Sequence, residues 1–417
     1  MKQNKADYHR MIKMVSLAFT VAGLLALLLT GCNQNGFMDA GEQFNSTSGV
    51  PGSSVPAVAG SNVMTVSVGN CGPNAYFNEP CVSVTICTPG TSQCQTIPNV
   101  LLDTGSYGLR LFSSVISVPL NQVTDGSGRS LAECTQFGSG AEWGPIKSAD
   151  VVLGGEQAVT IPIQVVDSTY PGAPTDCTGL DVSPQGSGFN GILGVGLFTQ
   201  DCGSECVSNS NTGIYYECSN GSCAGTTVAL NSQVVNPVAA LPVDNNGVIL
   251  QLPNVPTGGV ESVGGNLILG IGTQTNNKPG KVTYFPADTS GNFTTQFSGQ
   301  TFSSSFLDSG SNALYFPSSI NVCSSAQTSG FYCPSSTTAF SATQKGASAS
   351  LPVVFQISNA DSVLNSANTV FSDIGGSISG VLASDFDWGL PFFYGKTVYV
   401  GISGKSSSLG NGPSWAY

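Results

Sequence analysis

Histidine is almost missing from this chain. The only one, His9, precedes an apolar run near the N-terminus, so no Ser-His-Asp triad, Cys-His pair or histidine metal site can be assembled in the body of the protein. Basic residues are also scarce, with 12 Lys and Arg against 24 Asp and Glu. Phosphate contacts need a basic surface, so nucleic acid is not expected as a partner. Paired C-x-x-C knuckles are lacking, which argues against a tetrathiolate zinc site, and neither a metal nor another cofactor is expected. No convincing long amphipathic helix is visible.

What is present begins with Lys2, Lys5, Arg10 and Lys13, then an apolar run from Val15 to Leu29, then "LLTGC" ending at Cys32. The run is short for a membrane span, which needs roughly 20 residues, and it ends in small residues, so cleavage is expected rather than anchoring by a helix. The pattern resembles the lipobox of bacterial lipoproteins. That implies removal of residues 1–31 as a signal peptide, lipidation of Cys32 and attachment to a membrane by acyl chains. Asn33 is not the aspartate that often retains such proteins at the inner membrane, so the resemblance implies the bacterial cell envelope, at the outer rather than the inner membrane. The mature chain keeps 8 of the 12 basic and 23 of the 24 acidic residues and no histidine. Any catalyst must be built from carboxylates, hydroxyls, amides or cysteines.

Twelve cysteines remain after Cys32, an even number in a chain routed out of the cytoplasm, where disulfides persist. Cys87/Cys94, Cys202/Cys206, Cys218/Cys223 and Cys323/Cys333 are close enough to pair locally; the pairing of Cys71, Cys81, Cys134 and Cys177 stays open.

Residues 32–58 are polar and rich in Gly, Ser and Pro, and read as a flexible tether. Beyond them, short apolar or alternating runs such as "MTVSVG", "VTIPIQVV", "GVILQLP" and "NLILGI" recur between turn residues. With 52 glycines, this pattern points to an all-β protein. Its length suggests two lobes, residues 59–260 and 261–417, with the boundary near 255–265.

The two halves share a motif. "LDTGSYGLRLFSS", from Leu102, aligns without gaps on "LDSGSNALYFPSS", from Leu307, with seven of thirteen positions identical. A D-T-G-S turn alone is ordinary turn chemistry; two copies 205 residues apart point to a duplication. Equivalent turns from two lobes can bring Asp103 and Asp308 together across a cleft. Like charges so close cannot both ionise cheaply, so the pair offers a base and an acid at once. Gly105 and Gly310 leave room for close approach, Ser106 and Ser311 can donate to the outer carboxyl oxygens, and Thr104 and Ser309 can interlock the turns.

These motifs resemble those of the pepsin-like aspartic peptidases, which carry a D-[TS]-G-[ST] turn in each of two β lobes. "FNGILGVGLF", from Phe189, is similar to the segment that closes the loop around the first aspartate, with Ile192, Leu193 and Gly194 as its hydrophobic-hydrophobic-glycine motif. "FGSGAEWGPIKSADVVLGG", from Phe137, is similar to the flap hairpin, which makes Phe137, Gly138 and Trp143 flap candidates; the family's flap tyrosine has no counterpart there. "WGLPFFYG", from Trp388, fits the second-lobe copy of the glycine motif poorly. Residues 33–58 hold no Lys or Arg, where pepsins carry a basic propeptide. The lipobox, the "QDCGSEC" and "YYECSNGSC" insert and "NNGVILQLP" look more like a group of bacterial lipoproteins catalogued as a domain of unknown function.

The resemblance implies a monomeric aspartic endopeptidase acting on polypeptides. Its rivals are a non-catalytic surface lipoprotein of the same fold, binding a polypeptide or glycan, and a purely structural envelope protein. Asp385 and Asp387, in "SDFDWG", are expected in a solvated turn rather than at a metal. Phe392, Phe393 and Tyr394 are expected in packing.

Overall fold

A computed structural model describes residues 49–417 apart from 139, 349 and 379–384. The expected signal peptide, Cys32 and most of the expected tether therefore lie outside the described residues. The part of the tether that is described is not free chain. The Val55 amide donates to Gly264 O, the Gly264 amide to Ser53 O and the Glu261 amide to Val50 O. An extended Ser- and Pro-rich segment carries backbone groups that can pair with a neighbouring strand as any other backbone can.

The protein is all-β. Among the described residues the longest helix, Ser204–Ser208, has five residues, and no helix is long and apolar enough to cross a membrane. Two sheets hold nearly all the strands, one of sixteen and one of seven. The larger is not built from one stretch of sequence. Val63–Val68 pairs antiparallel with Val263–Leu269, and Gly247–Gln251 pairs on one side with Val263–Leu269 and on the other with Thr397–Gly401. Ser414–Ala416 then adds to Thr397–Gly401. The smaller sheet runs from Phe293–Phe297 through Gln300–Leu307 to Asp385–Trp388 and includes the hairpin of Thr338–Lys345 with Ser350–Ile357.

Sequence pattern explains these placements. Ser350–Ile357 lies at a sheet edge and alternates exposed with buried residues in its second half, as a strand with one wet face does. Gly191–Val195, by contrast, is buried throughout. It lies between Cys94–Asp103, to which it is parallel, and Tyr107–Phe112, to which it is antiparallel, so neither edge nor face meets water and an unbroken apolar run is needed.

One continuous core passes between the sheets, aliphatic around the larger and aromatic around the smaller. Phe386 stacks on Trp388 with ring centroids 4.4 Å apart and on Phe316 at 5.2 Å. Phe392, Phe393 and Tyr394 are buried in this core, as expected. Asp385 and Asp387 correct the sequence reading: they lie in the strand Asp385–Trp388, 0% and 1% exposed, rather than in a solvated turn. The aromatic residues that alternate with them carry the strand into the core and take the acids along.

All twelve remaining cysteines pair. The local bridges Cys87–Cys94, Cys202–Cys206, Cys218–Cys223 and Cys323–Cys333 form as expected, and Cys71–Cys81 and Cys134–Cys177 complete the set. The cysteine-rich insert is not a loose appendage, however. Cys206 lies in the helix Ser204–Ser208 and is buried with Cys202 against Leu131, Ile146 and Ile214. Cys223, on the strand Ser222–Gly225 opposite Cys218, packs against the small core around Trp143. Both bridges close within the insert, which joins the neighbouring hairpin through the pairing of Tyr215–Ser219 with Ser130–Gln136 and through the packing of these sulfurs.

Candidate active site

The two aspartates sit at equivalent strand ends. Cys94–Asp103 delivers Asp103 into a turn that leads to Tyr107–Phe112, and Gln300–Leu307 delivers Asp308 into a turn that leads to Leu314–Tyr315. Each delivering strand is flanked by a parallel strand from far along the chain. Leu102 and Asp103 pair with Leu193 and Gly194; Leu307 pairs with Trp388, and the Asp308 amide donates to Trp388 O at 3.1 Å. The second copy of the glycine motif is therefore Asp387-Trp388-Gly389, starting one residue before the stretch singled out in the sequence.

The glycines of both copies have a steric cause. A Cβ at Gly194 would stand 2.6 Å from Tyr107 N, and one at Gly389 would stand 2.1 Å from Ala313 O. In each half the crossing strand passes so close behind the aspartate turn that only glycine fits.

Four hydrogen bonds lock the turns to one another. The Thr104 amide donates to Ser309 Oγ at 3.0 Å and the Ser309 amide to Thr104 Oγ1 at 2.9 Å. Thr104 Oγ1 donates to Leu307 O at 3.0 Å, and Ser309 Oγ to Leu102 O at 2.7 Å. Both hydroxyls thus donate and accept at once, as buried hydroxyls must to be satisfied.

The carboxyls face one another across this lock. A Cβ at Gly105 would lie 2.6 Å from Asp308 Cγ, and one at Gly310 would lie 2.9 Å from Asp103 Cγ. Each aspartate is 2% exposed. Asp103 accepts from the Gly105 amide at 2.7 Å and from Ser106 Oγ. Asp308 accepts from the Gly310 amide at 2.8 Å and from Ser311 Oγ at 2.9 Å. Burial, then the charge of Asp103 and a hydrogen bond with it, holds the Asp308 carboxyl well above the usual carboxylate range. A hydrogen bond between two carboxyls requires a proton on one of them.

Three tyrosines that sequence reasoning missed surround the pair, with Asp387, which it expected in a solvated turn. Burial raises the phenols of Tyr76, Tyr107 and Tyr315, and the Asp103 and Asp308 charges raise those of Tyr76 and Tyr107 further. Tyr107 and Tyr315 follow the turns closely enough to have been read from the sequence. Tyr76 gave no signal, because it comes from the loop closed by Cys71–Cys81. That loop is fastened by Asn78, whose Nδ2 donates to Asn312 O at 2.8 Å and Phe371 O at 2.9 Å, while its Oδ1 accepts from Tyr394 Oη at 2.8 Å. The fourth group, Asp387, lies behind Asp308.

The flap candidates are placed differently from one another. Phe137 and Gly138 lie at the tip of the hairpin made by Ser130–Gln136 and Ala141–Val152. The Phe137 ring is 5.9 Å from the Arg110 guanidinium and packs with Phe112 and Ile192. Trp143 is 0% exposed, its Nε1 donating to Tyr170 O at 2.8 Å, so it belongs to the hairpin's own core.

Arg110 joins that hairpin to the strand that follows the first turn. Buried at 1% exposure, it contacts Glu133 and Asp201 at 3.0 Å each and Glu142 at 3.7 Å. One cation thus serves three carboxyls, and burial pushes Glu142 and Asp201 well above the carboxylate range despite it.

A cavity of about 240 Å³ abuts Thr104 and Gly105 and reaches Asp288, Ser304, Asp385 and Trp415. Neither Asp103 nor Asp308 lines it, so it lies beside the turns rather than over the carboxyls.

The chain belongs to a family described as "Protein of unknown function (DUF3443)", matched over residues 58–417. Among curated proteins, none matches it.

Proposed function

We propose that this member of the DUF3443 family is an aspartic endopeptidase of the bacterial cell envelope, with a two-lobed pepsin-like fold whose cleft holds an extended polypeptide. The observation that carries the reading is the juxtaposition of Asp103 and Asp308, each bonded to the amide and the hydroxyl of its own turn and held by four bonds between the turns. A turn retained only for folding would not need two buried carboxyls set against each other, since unpaired burial of such groups costs stability.

The chemistry follows from that arrangement. A water between the carboxyls gives a proton to the Asp103 carboxylate as its oxygen attacks the scissile carbonyl carbon, while the Asp308 acid donates its proton to the carbonyl oxygen. The resulting tetrahedral diol collapses when Asp103 passes the proton it took from water to the amide nitrogen and a diol hydroxyl returns a proton to Asp308. The C–N bond breaks, and the products are a carboxylic acid and an amine. Thr104, Gly105, Ser309 and Gly310 fix the spacing; Ser106 and Ser311 orient the outer oxygens. Lipidation at Cys32 and a monomeric state complete the proposal.

A second reading, a non-catalytic protein that binds a polypeptide or glycan, draws on Phe137, whose ring packs by Arg110 and brings no phenolic hydroxyl to the hairpin tip. The full chain in detergent, incubated with unfolded protein substrates from pH 3 to 7, separates the two. Cleavage is expected below neutrality. Asp103→Asn and Asp308→Asn should each lose about 10²–10⁴-fold in rate, and the double variant little more. No cleavage by folded wild type favours the binding protein; undiminished cleavage by both variants assigns the chemistry elsewhere.

A further inference from the structure

Asp387 breaks the internal symmetry of the site. In the first half, Leu101 pairs with Ile192 on the crossing strand; in the second, Phe306 pairs with Asp387 at the same register position. Where the duplication predicts an aliphatic side chain, the protein holds a carboxylic acid. The acid is 1% exposed, and the Ser311 hydroxyl beside it is already donated to Asp308 Oδ2. Packing alone does not account for it, because a buried carboxyl is costly and the aliphatic alternative exists 195 positions earlier in this chain.

Its surroundings give it a role. The titratable groups that face it are Asp308, Asp103 and Asp385, with Tyr315 from the strand alongside. Tyr315 is engaged elsewhere, its hydroxyl donating to Asn312 Oδ1 at 2.7 Å. Ser311, whose hydroxyl donates to Asp308 Oδ2, stands beside Asp387 as well.

We propose that Asp387 is a positioning residue for the aspartate pair, a third carboxyl reached from Asp308 past Ser311 that widens the pH range over which the pair keeps its one working proton. This rests on the reading of Asp103 and Asp308 as an acid-base pair. Three mutually close buried carboxyls release protons one at a time, and each that ionises makes the next proton harder to remove. Once Asp387 ionises, its charge holds the proton on Asp308. Its presence can therefore extend the basic limb of activity.

The test follows the ¹³C signals of the Asp308 and Asp387 carboxyls through a pH titration of the full chain in detergent, with peptide hydrolysis assayed on the same samples. In wild type the two signals should share their inflections. In Asp387→Asn the Asp308 midpoint, and the basic limb of any hydrolysis, should fall by about one pH unit, and Asp387→Glu should restore part of the shift. Single, independent inflections in wild type, or an unmoved Asp308 midpoint in folded Asp387→Asn, would overturn the proposal. The wild-type curves decide it even if the variant does not fold. Coupled titration without hydrolysis of any substrate sustains the three-carboxyl unit and removes the peptidase reading.

Discussion

Thr104 and Ser309 hold one another reciprocally: each backbone amide donates to the other residue's hydroxyl, at 3.0 and 2.9 Å. Each hydroxyl then donates onward to the strand residue that precedes the opposite aspartate. Ser309→Ala leaves the Thr104 amide and the Leu102 carbonyl without partners, at about 1–3 kcal/mol for each buried group. Ser309→Thr keeps the hydroxyl. Denaturant melts should place the alanine variant well below wild type, with the threonine variant between them.

Asp308 links stability to pH. Its folded state keeps the proton to higher pH than the unfolded chain does, so the stability it contributes is complete below the ordinary aspartate range and is lost as pH rises toward its folded value. Asp308→Asn removes that loss. Thermal melting should show the variant more stable than wild type at pH 7 and equal to it at pH 3, while hydrolysis falls as argued above.

Glu79 makes the same argument with a number attached. Burial pushes its carboxyl up to about 8, although its Oε2 accepts from the Tyr76 amide at 3.1 Å; Oε1 has no partner. The window of lost stability runs from the ordinary glutamate value up to about 8. At pH 7 the cost approaches about 3 kcal/mol. Glu79→Gln should recover up to that amount at pH 7 and nothing at pH 4, measured by urea denaturation at the two pH values.

Arg110 is expected to behave in the opposite sense. Arg110→Met strips the shared cation from Glu133, Glu142 and Asp201 and should cost about 3–5 kcal/mol at pH 7. Protonating the carboxyls relieves the loss, so the deficit should shrink at pH 4. Protease susceptibility of the hairpin Ser130–Val152 should rise in parallel, because Arg110 is what ties two of its carboxyls to the strand Tyr107–Phe112.

Much of the site was legible because its cause is local. Aspartate, glycine and hydroxyl residues at fixed offsets build the turn, and the thirteen-residue match exposed the duplication. Ile192-Leu193-Gly194 was readable through the family resemblance, and the structure supplies its cause: a strand buried on both faces has an apolar run and its tight crossing demands glycine. Its partner was not, because Asp387 replaces the first apolar residue and breaks the pattern by which such a strand is recognised. The bridges Cys202–Cys206 and Cys218–Cys223 were readable from spacing alone, but the cores that Cys206 and Cys223 join were not, because they are completed by strand residues sixty or more positions earlier in the chain. The sheet order was equally out of reach: Val63–Val68 finds its neighbour Val263–Leu269 two hundred positions away, and alternation says that a residue faces a core without saying which strand lies beside it. Trp143 misled for a related reason, since the side of a hairpin on which an aromatic ring falls depends on which way its strand alternates. Tyr76 and Glu79 lie in a disulfide-closed loop with no period at all.

The place of Ser414–Ala416 in the larger sheet bears on how the protein is made. That short strand pairs with Thr397–Gly401 and with Tyr284–Pro286, and Tyr417 stacks on Phe285 at 5.4 Å. A ribosome delivers the strands around Asp103 early, but the sheet that carries them is closed by residues synthesised some three hundred positions later. Asn78 repeats the theme, since its partners at Phe371 and Tyr394 do not exist while it is emerging. A growing or truncated chain therefore cannot complete the sheet that carries Asp103. Synthesis itself sets the order of assembly: the larger sheet closes around Asp103 only once its last strand, Ser414–Ala416, has been made.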